Sequence, residues 1–145
     1  MHMSRIGVAS DHAGFRYKTI VAGHLRRLGF DVDDFGTNSE TPVDYPDFIR
    51  PLALAVSQGT LERGIVFGGS GNGEAMAANR FRGVRCAIAW DDESARLSRA
   101  HNDANVLSIG ERLVPESQLL AIVDTWLGTP FEGERHIARI RKIDE

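Results

Sequence analysis

The stretch Ile65-Val66-Phe67-Gly68-Gly69-Ser70-Gly71-Asn72-Gly73-Glu74-Ala75-Met76-Ala77-Ala78-Asn79-Arg80 limits the fold more than any other part of the chain. Residues 65–67 read as a short buried strand. Residues 68–73 form a loop with four glycines in six positions, and a helix opens near Glu74. A glycine-dense turn lets backbone N–H groups come closer to a ligand than a Cβ would allow. The helix start behind it leaves N–H groups without intrahelical partners, aimed at whatever the loop holds. Strand, glycine loop and helix in this order make an anion cradle, and Glu74 sets a carboxylate on its far lip.

The rest of the chain repeats the alternation. An apolar run at residues 5–10 ends in Asp11-His12-Ala13-Gly14. Tyr17, Ile20, Val21, Leu25 and Leu28 then recur at helical spacing, and Gly29 stands where a helix ends. Residues 30–35 alternate like a half-exposed strand, and a loop rich in turn formers leads through Asp44-Tyr45-Pro46 to a helix over residues 47–57. Beyond the glycine loop, residues 84–90 and 106–109 read as a fourth and a fifth strand. Helices are expected at 92–100, 115–127 and, after the break Gly128-Thr129-Pro130, at 134–143. Five strands alternating with helices predict one α/β domain over residues 1–145, a parallel sheet covered on both faces, with a C-terminal tail helix. In the strand order 2-1-3-4-5, the loops after strands one and three face each other across the carboxyl edge, where such sheets bind ligands. Asp11, His12 and the glycine loop then share one pocket.

Totals narrow the function classes. A net charge of −3 with 26% charged residues gives no reason to expect nucleic-acid or membrane partners. Of the 17 basic residues only Lys18 and Lys142 are lysines, so the chain is rich in planar forks suited to phosphate. The single cysteine, Cys86, excludes an intrachain disulfide framework and fits a reducing, cytoplasmic setting. Met1-His2-Met3-Ser4 is expected to lead straight into the first strand, without an apolar signal region.

Each candidate residue has a plain reading beside its chemical one. The glycine loop is no P-loop, because no Gly-Lys-Ser/Thr follows. It is no dinucleotide fingerprint, because it follows the third strand. Ser70 and Asn72 can cap a helix. Glu74 suits a first helical turn, where the macrodipole favours an acid and keeps it ionised. In a pocket, the same carboxylate can take a proton from carbon beside a carbonyl polarised by the loop N–H groups. Asp11 and His12 also have a plainer reading as a satisfied turn. His101 ends the helix after strand four, which points away from the crevice of its own subunit, so a catalytic His101 is more naturally supplied by a partner chain, while a structural His101 needs no such arrangement. Arg135 and Arg139 share one helix face with His136 beside them; the spacing fits a phosphate grip, and a solvated basic face is the plainer alternative.

Five motifs in order, Ser10-Asp11-His12-Ala13-Gly14-Phe15, Asp44-Tyr45-Pro46, Gly68-Gly69-Ser70-Gly71-Asn72-Gly73, His101-Asn102-Asp103-Ala104-Asn105-Val106 and Arg135-His136, resemble ribose-5-phosphate isomerase type B, in the family that includes galactose-6-phosphate isomerase subunits. The resemblance runs from about Ile6 to Ile143. It implies a Rossmann-like three-layer fold, a homodimer with shared active sites, and aldose–ketose isomerisation of a sugar phosphate without metal or other cofactor. Carried over by position, Asp11, His12 and Asn102 contact the sugar and His101 assists ring opening. Ser70 and the loop, with Gly69, Gly71, Asn72 and Gly73, stabilise the enediolate. Arg112, Arg135 and Arg139 hold the phosphate, with His136 nearby. Many members use a cysteine two residues before the loop Ser/Thr as base. That position is Gly68 here, and Glu74 matches the glutamate base of another branch. Cys86 does not align with the cysteine base. A six-carbon sugar phosphate, a non-catalytic sugar-phosphate module and assembly to a dimer of dimers stay open at this level. A phospho-receiver is poorly matched, since Gly68 and Gly110-Glu111-Arg112 stand where its aspartate and lysine belong.

Overall fold

The computed structural model describes residues 4–145; Met1, His2 and Met3, expected to lead into the first strand, lie outside the described residues. Five parallel strands, β1 (Arg5–Ser10), β2 (Asp31–Asp34), β3 (Arg63–Gly68), β4 (Cys86–Ile88) and β5 (Val106–Gly110), form one sheet. They alternate with helices α1 (Phe15–Arg27), α2 (Pro46–Ser57), α3 (Asn72–Ala78), α4 (Asp92–Ala100) and α5 (Glu116–Gly128), and α6 (Arg135–Arg141) closes the chain.

Successive strand side chains point to opposite faces, and β3 shows the result. Ile65 and Phe67 join a core with Val21, Leu25, Leu119 and Trp126 of α1 and α5. Val66 joins the opposite core with Ile49, Leu52 and Ala78 of α2 and α3. A sheet buried on both sides needs continuous apolar strands rather than alternating ones, as β1, β3 and β5 are. Trp126 is fully buried, whereas Trp90 stands 59% exposed.

The order is β2-β1-β3-β5-β4. The three-layer parallel architecture stands as expected, with the last two strands exchanged. The physical reason lies in their burial: all of β5 is buried, while β4 has three half-buried residues and takes the edge. The exchange matters for the site. Gly110 pairs with Gly68, and a Cβ on Gly110 would lie 2.4 Å from the Ser70 carbonyl oxygen. Two facing glycines therefore let the glycine loop fold over the end of β5. The Ser108 hydroxyl donates to the Gly71 carbonyl at 2.7 Å and fixes the loop there.

On the other side of β3, the buried Lys18 ammonium donates to both Asp34 oxygens at 2.7 and 2.8 Å, and Asp34 Oδ1 accepts from the Gly36 N–H at 2.9 Å. This pair ties α1 to the start of the loop leading to α2. The neighbouring Thr37 is bonded through its backbone N–H to the Ser10 carbonyl at 2.8 Å.

Candidate active site

Helix α3 opens at Asn72, two residues before the expected start, because Gly71 takes a left-handed conformation (φ 84°) as its N-cap. Neither Ser70 nor Asn72 caps it through a side chain; the Ser70 hydroxyl accepts from the Asn72 N–H at 3.2 Å and closes the loop on itself. Glu74 is thereby the third helical residue. From that position a glutamate can fold back onto the N-cap N–H, and the Gly71 and Glu74 N–H groups do face its carboxylate.

Glu74 is only 4% exposed. Burial pushes its pKa up, the Asp11 carboxylate adds to the rise, and the two backbone N–H groups oppose it without cancelling it. The expectation that the helix terminus governs Glu74 is corrected here: desolvation outweighs the dipole. The outcome is a carboxylate of increased basicity.

Around it stand the other residues of the carboxyl edge. Asp11 is buried and its Oδ1 accepts from the Gly14 N–H at 3.1 Å, holding a 3-10 turn over His12–Gly14. A Cβ on Gly14 would lie 2.4 Å from the Phe67 carbonyl carbon, so this turn lies directly on the end of β3. His12 Nδ1 accepts from the Val43 N–H at 3.1 Å. That bond leaves Nε2 as the donor nitrogen of the neutral ring. The Arg112 guanidinium lies over Gly69, 3.2 Å from where its Cβ would be, and Tyr45 covers Gly73, with its ring carbon 2.6 Å from that residue's Cβ position. Tyr45 was present in the Asp44-Tyr45-Pro46 motif without an assigned role; its contact with the loop depends on a fold-level approach that spacing does not encode.

His101, Asn102, His136 and Arg139 gather elsewhere, around a cavity of about 390 Å³ also lined by Ile140 and Ile143. His101 is the C-cap of α4, and its ring stacks on His136 with centroids 4.6 Å apart. The connection into β5 is braced by Arg85, which donates to the Asn102 and Asp103 carbonyls, and by Arg99, which donates to Asp103 Oδ1 and the Ala104 carbonyl. Arg135, at the exposed start of α6, belongs to this group. Five-residue β5 lies between the turn that follows His101 and the Arg112 end of the sheet, a strand length of roughly 16 Å at about 3.3 Å per residue. One chain thus brings together Asp11, His12, Gly69, Ser70, Gly71, Asn72, Gly73, Glu74 and Arg112, and separately His101, Asn102, Arg135, His136 and Arg139. Arg112 does not meet Arg135 and Arg139 within the chain.

Cys86 opens β4 at the sheet edge and packs against the core formed with α2 and α3; burial first and the Glu74 carboxylate second push its thiol pKa up, which makes it a poor nucleophile. Glu132, missed in the sequence because it precedes α6 in an irregular segment, places Oε1 3.7 Å from His101 Nε2 and 3.8 Å from His136 Nε2. Among the described residues, no helix is long and apolar enough to cross a membrane.

Comparison with known proteins gives a consistent picture. The family model described as ribose/galactose isomerase matches residues 6–143. Ribose-5-phosphate isomerase B of Escherichia coli (strain K12) is 43% identical over 141 residues, covering 97% of this chain and 95% of that protein. The solved ribose-5-phosphate isomerase B of Clostridium thermocellum superposes with a TM-score of 0.95 at 47% identity, covering 97% of this chain and 95% of that one. The Mycoplasma genitalium ribose-5-phosphate isomerase B, solved with bound ribulose-5-phosphate, gives 0.94 at 42% identity, covering 98% and 95%.

Proposed function

This chain belongs to the ribose/galactose isomerase family, and we propose that it acts as a homodimer whose active sites each combine the Glu74 group of one subunit with the His101 group of the other. It is an aldose–ketose isomerase that interconverts ribose 5-phosphate and ribulose 5-phosphate. The observation that carries the assignment of roles is the Glu74 carboxylate, buried under the glycine loop and raised in pKa by that burial.

His101 of the second subunit assists opening of the furanose by moving a proton at the ring oxygen. Glu74 then takes the C2 proton of the open-chain aldose. The C–H electron pair becomes the C1=C2 bond, and O1 accepts a proton as the carbonyl is lost. Ser70 and the loop from Gly69 to Gly73 stabilise the developing oxyanion; one such donor is worth about 3 kcal/mol in the transition state. Glu74 returns the proton to C1, O2 gives up its own, and the ketose carbonyl forms at C2. Asp11, His12 and Asn102 hold the hydroxyls. Arg112 approaches the phosphate from the first subunit and Arg135, His136 and Arg139 from the second, so a remote handle positions the reacting carbons.

A split site supports the dimer, because neither half is complete alone. The outer face of α3 supports it as well: Met76, 68% exposed, lines an open groove with Ala75, Cys86 and Ile88. The free Cys86 thiol fits a cytoplasmic setting. Turnover assays on a panel of five- and six-carbon aldose phosphates, run on wild type and Glu74→Gln, test the reading. Ribose 5-phosphate should be preferred, and the variant should lose about 10²- to 10⁴-fold in kcat. Equal rates for the two proteins would overturn the assignment of the base.

A further inference from the structure

We infer that His101, Glu132 and His136 form a binding site for one divalent transition-metal ion of the Zn²⁺ or Co²⁺ class, which blocks the histidine half of the active site. The ion is an inhibitor here; the isomerisation described above does not pass through it.

Two imidazoles and one carboxylate offer their ligand atoms within 4.8 Å of one another, and Glu132 Oε1 lies 3.7 Å from His101 Nε2 and 3.8 Å from His136 Nε2. Bonds of about 2.1 Å to a tetrahedral ion set neighbouring ligand atoms about 3.4 Å apart. Closing the set on an ion therefore needs the side chains to draw together. The two rings, stacked 18° from parallel, must tilt toward each other as they close.

A second observation points to a ligand. His136 is 6% exposed, yet its Nε2 has no hydrogen-bond partner among the described residues. A buried ring nitrogen without a partner is costly, and it faces the carboxylate at a distance too long for a bond. The backbone fixes the set. The Glu132 N–H donates to the Ala100 carbonyl at 3.0 Å, joining its segment to the end of α4 that carries His101. Positive φ at Gly133 (72°) and Glu134 (54°) turns the chain so that His136 comes back over Glu132. Arg135 and Arg139 lie on the same helix as His136 and oppose a cation, so binding is expected to be weaker than at a structural zinc site. The remaining coordination position is open to water or a sugar oxygen.

The blocking effect rests on the proposed role of His101; the binding of the ion does not. Chelator-treated full-length protein is titrated with ZnCl₂ by calorimetry, and with CoCl₂ while its visible absorption is recorded. One ion per chain should bind, with an intense cobalt band, and isomerase activity should fall as the site fills. Glu132→Gln, which keeps the side-chain volume, should weaken binding and shift inhibition by about tenfold or more while its metal-free rate stays near wild type. No saturable binding up to about 0.1 mM ion, or equal affinity in the variant, overturns the site; the second result would place the ion on another histidine such as His12 or His24. Binding that is sensitive to Glu132 but leaves the rate unchanged upholds the site and removes His101 from ring opening.

Discussion

A Cβ built on Gly68 would lie 2.2 Å from Cδ and Oε2 of Glu74 and 2.3 Å from Oε1. The side chain that position 68 lacks and the carboxylate of Glu74 occupy one volume. A cysteine base at 68 and a glutamate base at 74 are therefore alternatives on steric grounds, since contacts this short force one group to move. Gly68→Ala should displace the carboxylate from beneath the loop and lower kcat by about 10²-fold or more, with far-UV circular dichroism unchanged. The double variant Gly68→Cys, Glu74→Ala reopens the volume for a thiolate and should recover part of that loss. A fully active Gly68→Ala protein would show that Glu74 works from some other position.

Burial first, and Asp11 second, raise the Glu74 pKa above its ordinary 4.5. A base must be ionised to accept a proton, so kcat/KM should fall as pH drops through this raised value. The acid limb then lies at higher pH than an exposed glutamate would give. Asp11→Asn removes one of the two causes and should move that limb to lower pH, whatever it does to the plateau. A pH profile of both proteins reads this directly; a limb that stays fixed would separate Asp11 from Glu74 electrostatically.

The same shift bears on stability. A carboxyl with a raised folded pKa favours folding in its protonated form, a contribution present below the unfolded pKa and lost as pH rises through the folded one. Above its folded pKa, ionised Glu74 is thus a net cost to the fold. Glu74→Gln retains an oxygen to accept from the Gly71 N–H and carries no charge. It should melt at a higher temperature than wild type near neutral pH, with the difference narrowing toward acid pH. A function that opposes stability at one residue is expected where a base must be kept dry.

Much of this site was legible in the sequence because it depends on local order. Glycine spacing marks the loop after β3, and the strand-then-turn pattern places Asp11 and His12 on the neighbouring strand's end. What escaped depends on long-range packing. The exchange of β4 and β5 follows from how deeply each strand is buried, and both read as apolar runs in the sequence. The basicity of Glu74 is set by desolvation, which no motif states; the helix dipole alone points the other way. Glu132 meets His101 and His136 only because an irregular segment docks on the end of α4. By contrast, the separation of His101 from the Glu74 crevice was readable from topology, since a helix after a parallel strand returns to the opposite edge.

That separation leads to the most direct test of assembly. If each active site takes Glu74 from one subunit and His101 from the other, Glu74→Gln and His101→Ala damage different halves of the same unit. Each homodimer variant then has two defective sites. In a mixed dimer one site collects both lesions and the other collects none. Equal amounts of the two inactive variants, unfolded together and refolded, should yield half mixed dimers, each with one intact site, and so about a quarter of wild-type activity. Simple mixing without subunit exchange should restore nothing. Recovery near zero after verified exchange would mean that His101 and Glu74 never meet across the interface, and the histidine cluster would need another role.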